Sequence, residues 1–367
     1  MEHNMLTLDF WQDTVTYEGA TMPTGSIGCA ALNIPDDMIA GLDRLCEPLN
    51  RFMATLNTGM PDPALLPAAK DSALQILDLL NPIPPFSHLD KVFYTKGISD
   101  AFTQEGAQDF QAYTIAMLSG GLTAEHMKQY RRGILLGRMT PVLAQLAFSL
   151  RGYKQEMTTF AETLDGPDVK RTPEGLAEQF GKAYPLETDI TKGTSWMTLT
   201  NISVQYISTV RPSYDIPMLV KRMHFVSFVG MLRADLFEGL RVGHAPKKCP
   251  ICGRWFLTTN ARPTKYCGGL APGDRLGRTC RQIGNMKGRE QRELAADHPV
   301  KQIYEKRTNT INRYVKRGIL DADIARMMKR LAKNKMLRAL SDNSYAQGAY
   351  AKEMEQDALL ADARKQK

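Results

Sequence analysis

Four cysteines in the second half of the chain, Cys249, Cys252, Cys267 and Cys280, are the residues best suited to chemistry. Two residues separate Cys249 from Cys252, so both thiolates can reach one ion from a single tight turn. Gly253 can take the positive φ such a knuckle needs and turn backbone N–H groups toward sulfur. Cys267 follows after fourteen residues and Cys280 after a further twelve. The pattern predicts one structural Zn2+ held by all four. Two alternatives stay open at this level: His244 or His298 replacing one cysteine, or four reduced thiols without metal. A catalytic zinc keeps an open position beside three protein ligands, so four available cysteines predict a closed site on which local folding depends. Cys29 and Cys46 lack spaced partners and read as small buried hydrophobes.

The elements around the cysteines follow from local signals. Trp255-Phe256-Leu257 reads as the first strand of a hairpin turning at 260–263 and returning through Lys265-Tyr266-Cys267. The stretch 268–275 is Gly-rich but lacks the Lys-Ser/Thr ending of a phosphate loop, so a flexible connection is expected. Thr279 is placed to cap a helix whose first turn supplies Cys280. Knuckle, hairpin and helix in this order describe a treble-clef-like finger.

Cations crowd this region: Arg254, Lys265, Arg275, Arg278, Arg281, Lys287 and Arg289. Two amphipathic helices are expected beyond it. Over 300–317, Ile303, Tyr304, Ile311, Tyr314 and Val315 share one face, and Gly318 ends the helix. Over 322–340, Ile324, Met327, Met328 and Leu331 form an apolar side, while Arg326, Lys329, Arg330 and Lys333 project oppositely at i, i+3, i+4 and i+7. Residues 241–367 carry 28 of the 47 Lys+Arg and 12 of the 39 Asp+Glu, a net +16; residues 1–240 keep 19 and 27, a net −8. Such a split points to a basic module that meets a polyanion, with nucleic acid, DNA ahead of RNA, as the expected partner. A phosphate could dock at the helix start beside Arg278 and Arg281. The competing explanation is a basic surface that only solvates the protein.

The remaining chain reads as mainly α with a short β-hairpin region. Four parts are expected: a mostly helical N-terminal domain, 1–194; a β segment and long helix leading to the finger, 195–240; the four-cysteine finger, 241–298; and a basic helical C-terminal segment, 299–367. Residues 6–17 have β character and lead into Gly/Thr/Pro-rich turns. Helices are expected over 38–56, 64–80, 107–118, from Thr123 toward 137, from Pro141 to 150, and after Thr172-Pro173-Glu174, with a looser segment over 152–171. The run 195–210 is β-rich with a shift of register at Asn201. Asp215 and Pro217 are expected to open a helix to 240 carrying Leu219, Met223, Val226, Val229 and Leu236. A final mixed-charge helix is expected over 341–367.

The composition, 43% hydrophobic and 23% charged, is ordinary for a globular protein. The N-terminus lacks the basic and apolar regions of a signal peptide, and no apolar run reaches the length of a membrane span. A cytoplasmic location with reduced thiols is therefore expected, and no membrane partner. No Ser/His/Asp set, HExxH helix, nucleotide fingerprint or compact carboxylate pair is visible, so an enzyme is not the expectation.

The string Cys-Pro-Ile-Cys-Gly-Arg-Trp-Phe-Leu … Lys-Tyr-Cys … Thr-Cys-Arg-Gln-Ile-Gly-Asn, with its flanking helices, resembles an uncharacterised family of bacterial proteins common in Firmicutes and their mobile elements. More distantly it is similar to the CGNR-type zinc finger of bacterial transcription regulators. The resemblance spans about 215–340. It implies that Cys249, Cys252, Cys267 and Cys280 are the zinc ligands, and DNA binding on the side of the CGNR relatives. The expected function is a zinc-dependent nucleic-acid-binding protein, a DNA-binding regulator in its sharpest form. The alternative is a zinc-stapled scaffold for protein–protein interaction, with a protein partner or a second copy meeting the N-terminal helical body.

Overall fold

The computed structural model describes residues 6–166, 169–183, 202–210, 216–260, 264–287 and 298–365. The chain opens as an antiparallel meander, β1 (Thr7–Trp11), β2 (Thr14–Tyr17) and β3 (Ala20–Pro23). Leu8, Phe10, Val15 and Tyr17 point inward at strand spacing and are buried. Helices follow: α1 (Ser26–Ala31), α2 (Asp36–Asn57), α3 (Leu66–Leu80), α4 (Lys91–Ala101), α5 (Gln104–Leu118), α6 (Ala124–Gln129), α7 (Arg131–Ala144), α8 (Leu146–Leu164) and α9 (Pro173–Ala183). Helix α2 shows why. Asp36 and Asp37 favour its positive N-terminal end, and Met38, Ile39, Leu42, Cys46, Leu49, Phe52 and Leu56 recur on one buried face. Burying each of the larger ones stabilises the fold by about 1.5–3 kcal/mol. Side chains of Asp90, Thr103 and Thr123 cap α4, α5 and α6 at their first turns. Cys29 and Cys46 are both buried, as expected of small hydrophobes.

Several local expectations give way. Helix α4 occupies what reads as a break, because only Tyr94, Ile98 and Ala101 mark its buried side. Pro141 does not begin a helix; it lies inside α7, close to its C-terminal end, and the chain turns at Gln145 instead. Residues 152–164 are not loose but continue α8, with Tyr153, Met157, Phe160, Ala161 and Leu164 fully buried.

The largest change lies at 215–240. It is not one helix: β5 (Pro217–His224) pairs with β4 (Ser203–Val210), and α10 (Phe228–Arg241) starts only at its Ser227 cap. The expected register shift at Asn201 lies outside the described residues. Strand β5 also pairs with β1, which completes an antiparallel sheet in the order β3-β2-β1-β5-β4. Leu219 and Met223 are four apart, a spacing that serves a strand as well as a helix, and this is why periodicity misleads.

Two short strands, β6 (Ala245–Lys248) and β7 (Trp255–Thr258), form a second sheet. After them come α11 (residues 280–287), α12 (Pro299–Lys316), α13 (Ala322–Ser341), α14 (Asn343–Gln347), α15 (Tyr350–Glu353) and α16 (Gln356–Lys365). The single helix expected after 341 is thus three short ones. Contacts divide the chain into a unit 1–267 and a unit 268–367.

In the first unit the meander, helices α1–α5 and helices α7–α10 share one apolar core. Helices α1 and α10 approach closely at Gly28, where a Cβ would lie 2.7 Å from the Leu232 carbonyl. Into that contact α10 sends Asp235, fully buried, whose carboxylate accepts from the N–H groups of Gly25 and Gly28, both at 2.9 Å. Burial raises its carboxyl to about 6, against the lowering effect of those N–H donors. In the second unit Ile311, Met328, Tyr350, Met354 and Leu359 are fully buried in a separate core. Asp321 caps α13, and Gly318, with φ 69°, closes α12. No single helix among the described residues is long and apolar enough to cross a membrane.

Candidate metal centre

The hairpin that carries the knuckle is not the one local sequence suggests. Strand β7 pairs backward with β6, from Ala245↔Thr258 to Lys248↔Trp255, so Cys249–Arg254 is the loop between the strands. The N–H of Cys249 donates to the Arg254 carbonyl at 2.9 Å and that of Gly253 to the Cys249 carbonyl at 2.8 Å. Gly253 has φ 72°, and its Cβ position is open, so the backbone angle alone demands glycine there. Residues 265–267 form no strand, and 261–263, the expected turn, lie outside the described residues.

Residues of the N-terminal part fix this hairpin. Asn33 acts as a strand substitute: its Oδ1 accepts from the Trp255 N–H at 2.7 Å and its Nδ2 donates to the Trp255 carbonyl at 2.9 Å. Arg171, buried, donates through Nη1 to the carbonyls of Ala245 and Pro246 and to Thr258 Oγ1. Through Nη2 it reaches the Leu164 carbonyl and Asp165 Oδ1. Asp165 also accepts from the Lys248 N–H and pairs with Lys247. Sequence reasoning missed Asn33, Asp165 and Arg171, since nothing local distinguishes them from solvated polar residues.

The stretch 268–279 is folded rather than loose. Leu270 and Thr279 form a bridge, and Ala271 donates to the Arg278 carbonyl at 3.0 Å. Asp274 accepts from the Arg278 backbone N–H at 2.7 Å and from its guanidinium at 2.6 Å and 3.0 Å. That pairing holds the Asp274 carboxyl below its ordinary range. Helix α11 begins with a reciprocal cap: Gln282 N–H to Thr279 Oγ1 at 3.2 Å, and Thr279 N–H to Gln282 Oε1 at 2.8 Å. The Cys280 N–H donates to the Gly269 carbonyl at 2.9 Å. The first-turn donors are therefore largely used, which leaves little of the phosphate-docking helix start expected from sequence.

These supports bring together one ligand atom from each of Cys249, Cys252, Cys267 and Cys280, all within 4.8 Å of one another. Cys252 and Cys267 sulfurs stand 3.6 Å apart. Tetrahedral thiolate coordination at metal–sulfur distances of about 2.3 Å requires sulfurs separated by about 3.8 Å, so the set fits one tetrahedral ion. Burial pushes the Cys249 thiol up, but the N–H groups of Cys252, Cys267 and Ile251 outweigh it and bring the thiol down to about 6. A thiolate, the ligand form, is thereby favoured at neutral pH. Three of the cysteines are buried and Cys252 is half-buried. The four could hold a metal ion with every position filled by sulfur. Neither histidine considered as a substitute joins them: His244 Nδ1 contacts the Thr24 carbonyl at 2.8 Å, and His298 caps α12.

The predicted basic residues divide into two kinds. Arg278 is engaged by Asp274, and Arg326 by Asp323 at 2.8 Å. Arg254, Lys265, Arg275, Arg281, Lys287, Arg330 and Lys333 are exposed, and Lys329 is half-buried. None of these eight has an acidic partner within 4.0 Å among the described residues. Arg289 lies outside the described residues. On α13 the opposite side is apolar as expected, with Met328 fully buried and Ile324, Met327 and Leu331 packed around it.

No characterised protein and no solved structure matches the chain. What does match is 197–366, the stretch holding all four cysteines and the basic helices, to the model of a family of unknown function (DUF6076).

Proposed function

We propose that the protein binds one structural Zn2+ through its four cysteines and uses the basic surface around and beyond them to bind nucleic acid, DNA before RNA, as a regulator would. Zinc is favoured over other ions because an all-thiolate tetrahedral set suits it and no open position is left for chemistry. The observation that carries the nucleic-acid reading is exposed positive charge without internal partners. Lys329, Arg330 and Lys333 lie on the side of α13 away from its packed face, and Arg254, Lys265, Arg275, Arg281 and Lys287 surround the cysteine segment. Cations that served only to stabilise the fold would sit beside carboxylates, as Arg278 does beside Asp274. The net +16 of residues 241–367 supports the same reading, as does the resemblance to CGNR-type fingers.

The test combines metal analysis of the purified chain with binding to duplex DNA and to single-stranded RNA over a salt titration. One zinc per chain and binding that weakens steeply with salt are expected, together with loss of binding in the R326E/K329E/R330E/K333E variant. Zinc-loaded protein that binds neither nucleic acid at low salt would overturn the proposal.

A further inference from the structure

The five-stranded sheet ends differently on its two sides. Its β3 edge is four residues long and finishes in Pro23, the kind of short, proline-bearing edge that discourages further pairing. Its β4 edge is eight residues, Ser203-Val-Gln-Tyr-Ile-Ser-Thr-Val210, without charge, proline or glycine. No device that ordinarily protects an edge strand is present there.

The ladder decides which groups face outward. Phe225 donates to the Leu6 carbonyl at 2.9 Å, so in β5 the odd-numbered residues turn their hydrogen-bonding groups toward β1 and the even-numbered ones toward β4. With Ile207 opposite Val220, the β4 residues bonded to β5 are the odd ones. The N–H and C=O groups of Val204, Tyr206, Ser208 and Val210 therefore point away from the sheet. Among the described residues they have no partner. The same four residues share a face with Leu219, Met223 and Lys221, whose ammonium is paired with Glu238, and this face runs on to buried Leu8. Tyr206 and Leu219 are each 67% exposed, and Val204 and Val210 are more than half exposed.

We infer that the β4 edge is a self-association surface whose partner is β4 of a second copy, related by a two-fold axis at Ile207. In an antiparallel two-fold contact centred on Ile207, that residue meets its own copy and the other residues of 204–210 meet one another, so a strand without charges brings no like charges together. The antiparallel register centred on Ile207 pairs Val204 with the second copy's Val210, and Tyr206 with its Ser208. In that register all the outward N–H and C=O groups of both strands satisfy one another. It also brings the exposed Val204, Tyr206, Val210 and Leu219 of the two copies onto one surface. This inference is independent of the nucleic-acid reading.

The experiment uses the full chain, with mass measured by light scattering or sedimentation over a concentration series. Wild type is expected at twice its 41.0 kDa chain mass. Ser208→Pro removes only an outward N–H and is expected to leave a folded monomer, with circular dichroism unchanged and melting no longer dependent on protein concentration. Thr209→Pro, one residue on, removes an N–H bonded to β5 and is expected to lower stability instead. Ile207→Cys, at the two-fold axis, is expected to give a disulfide-linked dimer that wild type does not form. A wild type that is monomeric at all concentrations overturns the inference. So does a dimer that survives Ser208→Pro while Ile207→Cys fails to cross-link.

Discussion

Arg171 offers the sharpest test of how the knuckle hairpin is held. Its side chain is 6% exposed, and its guanidinium donates five hydrogen bonds to five different residues. Burial lowers its pKa, an effect opposed by the Asp165 carboxylate. The perturbation is Arg171→Met, which keeps volume and removes every donor. In β6 the register with β7 turns the Pro246 carbonyl away from the ladder, toward Arg171, so that acceptor loses its partner outright. The Leu164 carbonyl loses the same guanidinium, and Asp165 keeps only Lys247 and the Lys248 N–H. A buried acceptor left unpaired costs about 1–3 kcal/mol, and two such carbonyls with a weakened ion pair imply a loss of about 3–5 kcal/mol. That is a large part of the roughly 5–15 kcal/mol by which domains are stable. Guanidinium unfolding of the zinc-loaded chain measures it. Arg171→Lys should recover less than half, because one ammonium cannot span acceptors on α8, β6 and β7. A loss below about 1 kcal/mol for Arg171→Met would refute the claim that this residue anchors the hairpin.

Three further outcomes are expected. Cys280→Ser should abolish tight binding of one zinc per chain, measured by metal analysis after dialysis against a chelator; retention of a full equivalent would mean that Cys280 is not a ligand. Asp235, with its folded carboxyl raised to about 6 against about 4 unfolded, binds more protons in the folded state between those values. Stability it contributes is thus complete below about pH 4 and is lost as pH rises toward 6, at no more than about 1.4 kcal/mol per pH unit. Urea melts from pH 4 to 7 should show that slope in wild type and a flatter profile in Asp235→Asn. On α13, Arg330→Gln should lower the salt dependence of DNA binding by about one unit of log–log slope, as a lost phosphate contact does. Arg326→Gln should lower it less, because Asp323 already occupies that guanidinium. Equal effects of the two would argue against direct phosphate contact by Arg330.

What the sequence determined by itself is local. Cys249 and Cys252 can share an ion because two intervening residues and Gly253 make a turn, which needs no distant partner. Thr123, Thr279 and Gly318 begin or end helices through their own side chains or backbone freedom within one turn. The mainly helical class, the amphipathic faces of α12 and α13 and the β character of the opening follow from periodicity in the same way. Tertiary structure decided whatever depends on residues far apart in the chain. Residues 217–224 became a strand because β1 and β4 flank them, although the spacing of Leu219 and Met223 suits a helix equally. Ala245-Pro-Lys-Lys248 has no strand signature, yet it pairs with β7 because Arg171 and Asn33 hold both strands from the side. Asp235 and Arg171 read as solvated charges until the fold brings each to donors or acceptors that satisfy it, for Asp235 more than two hundred residues away. A buried charge is tolerable only with such partners, and linear sequence does not record them.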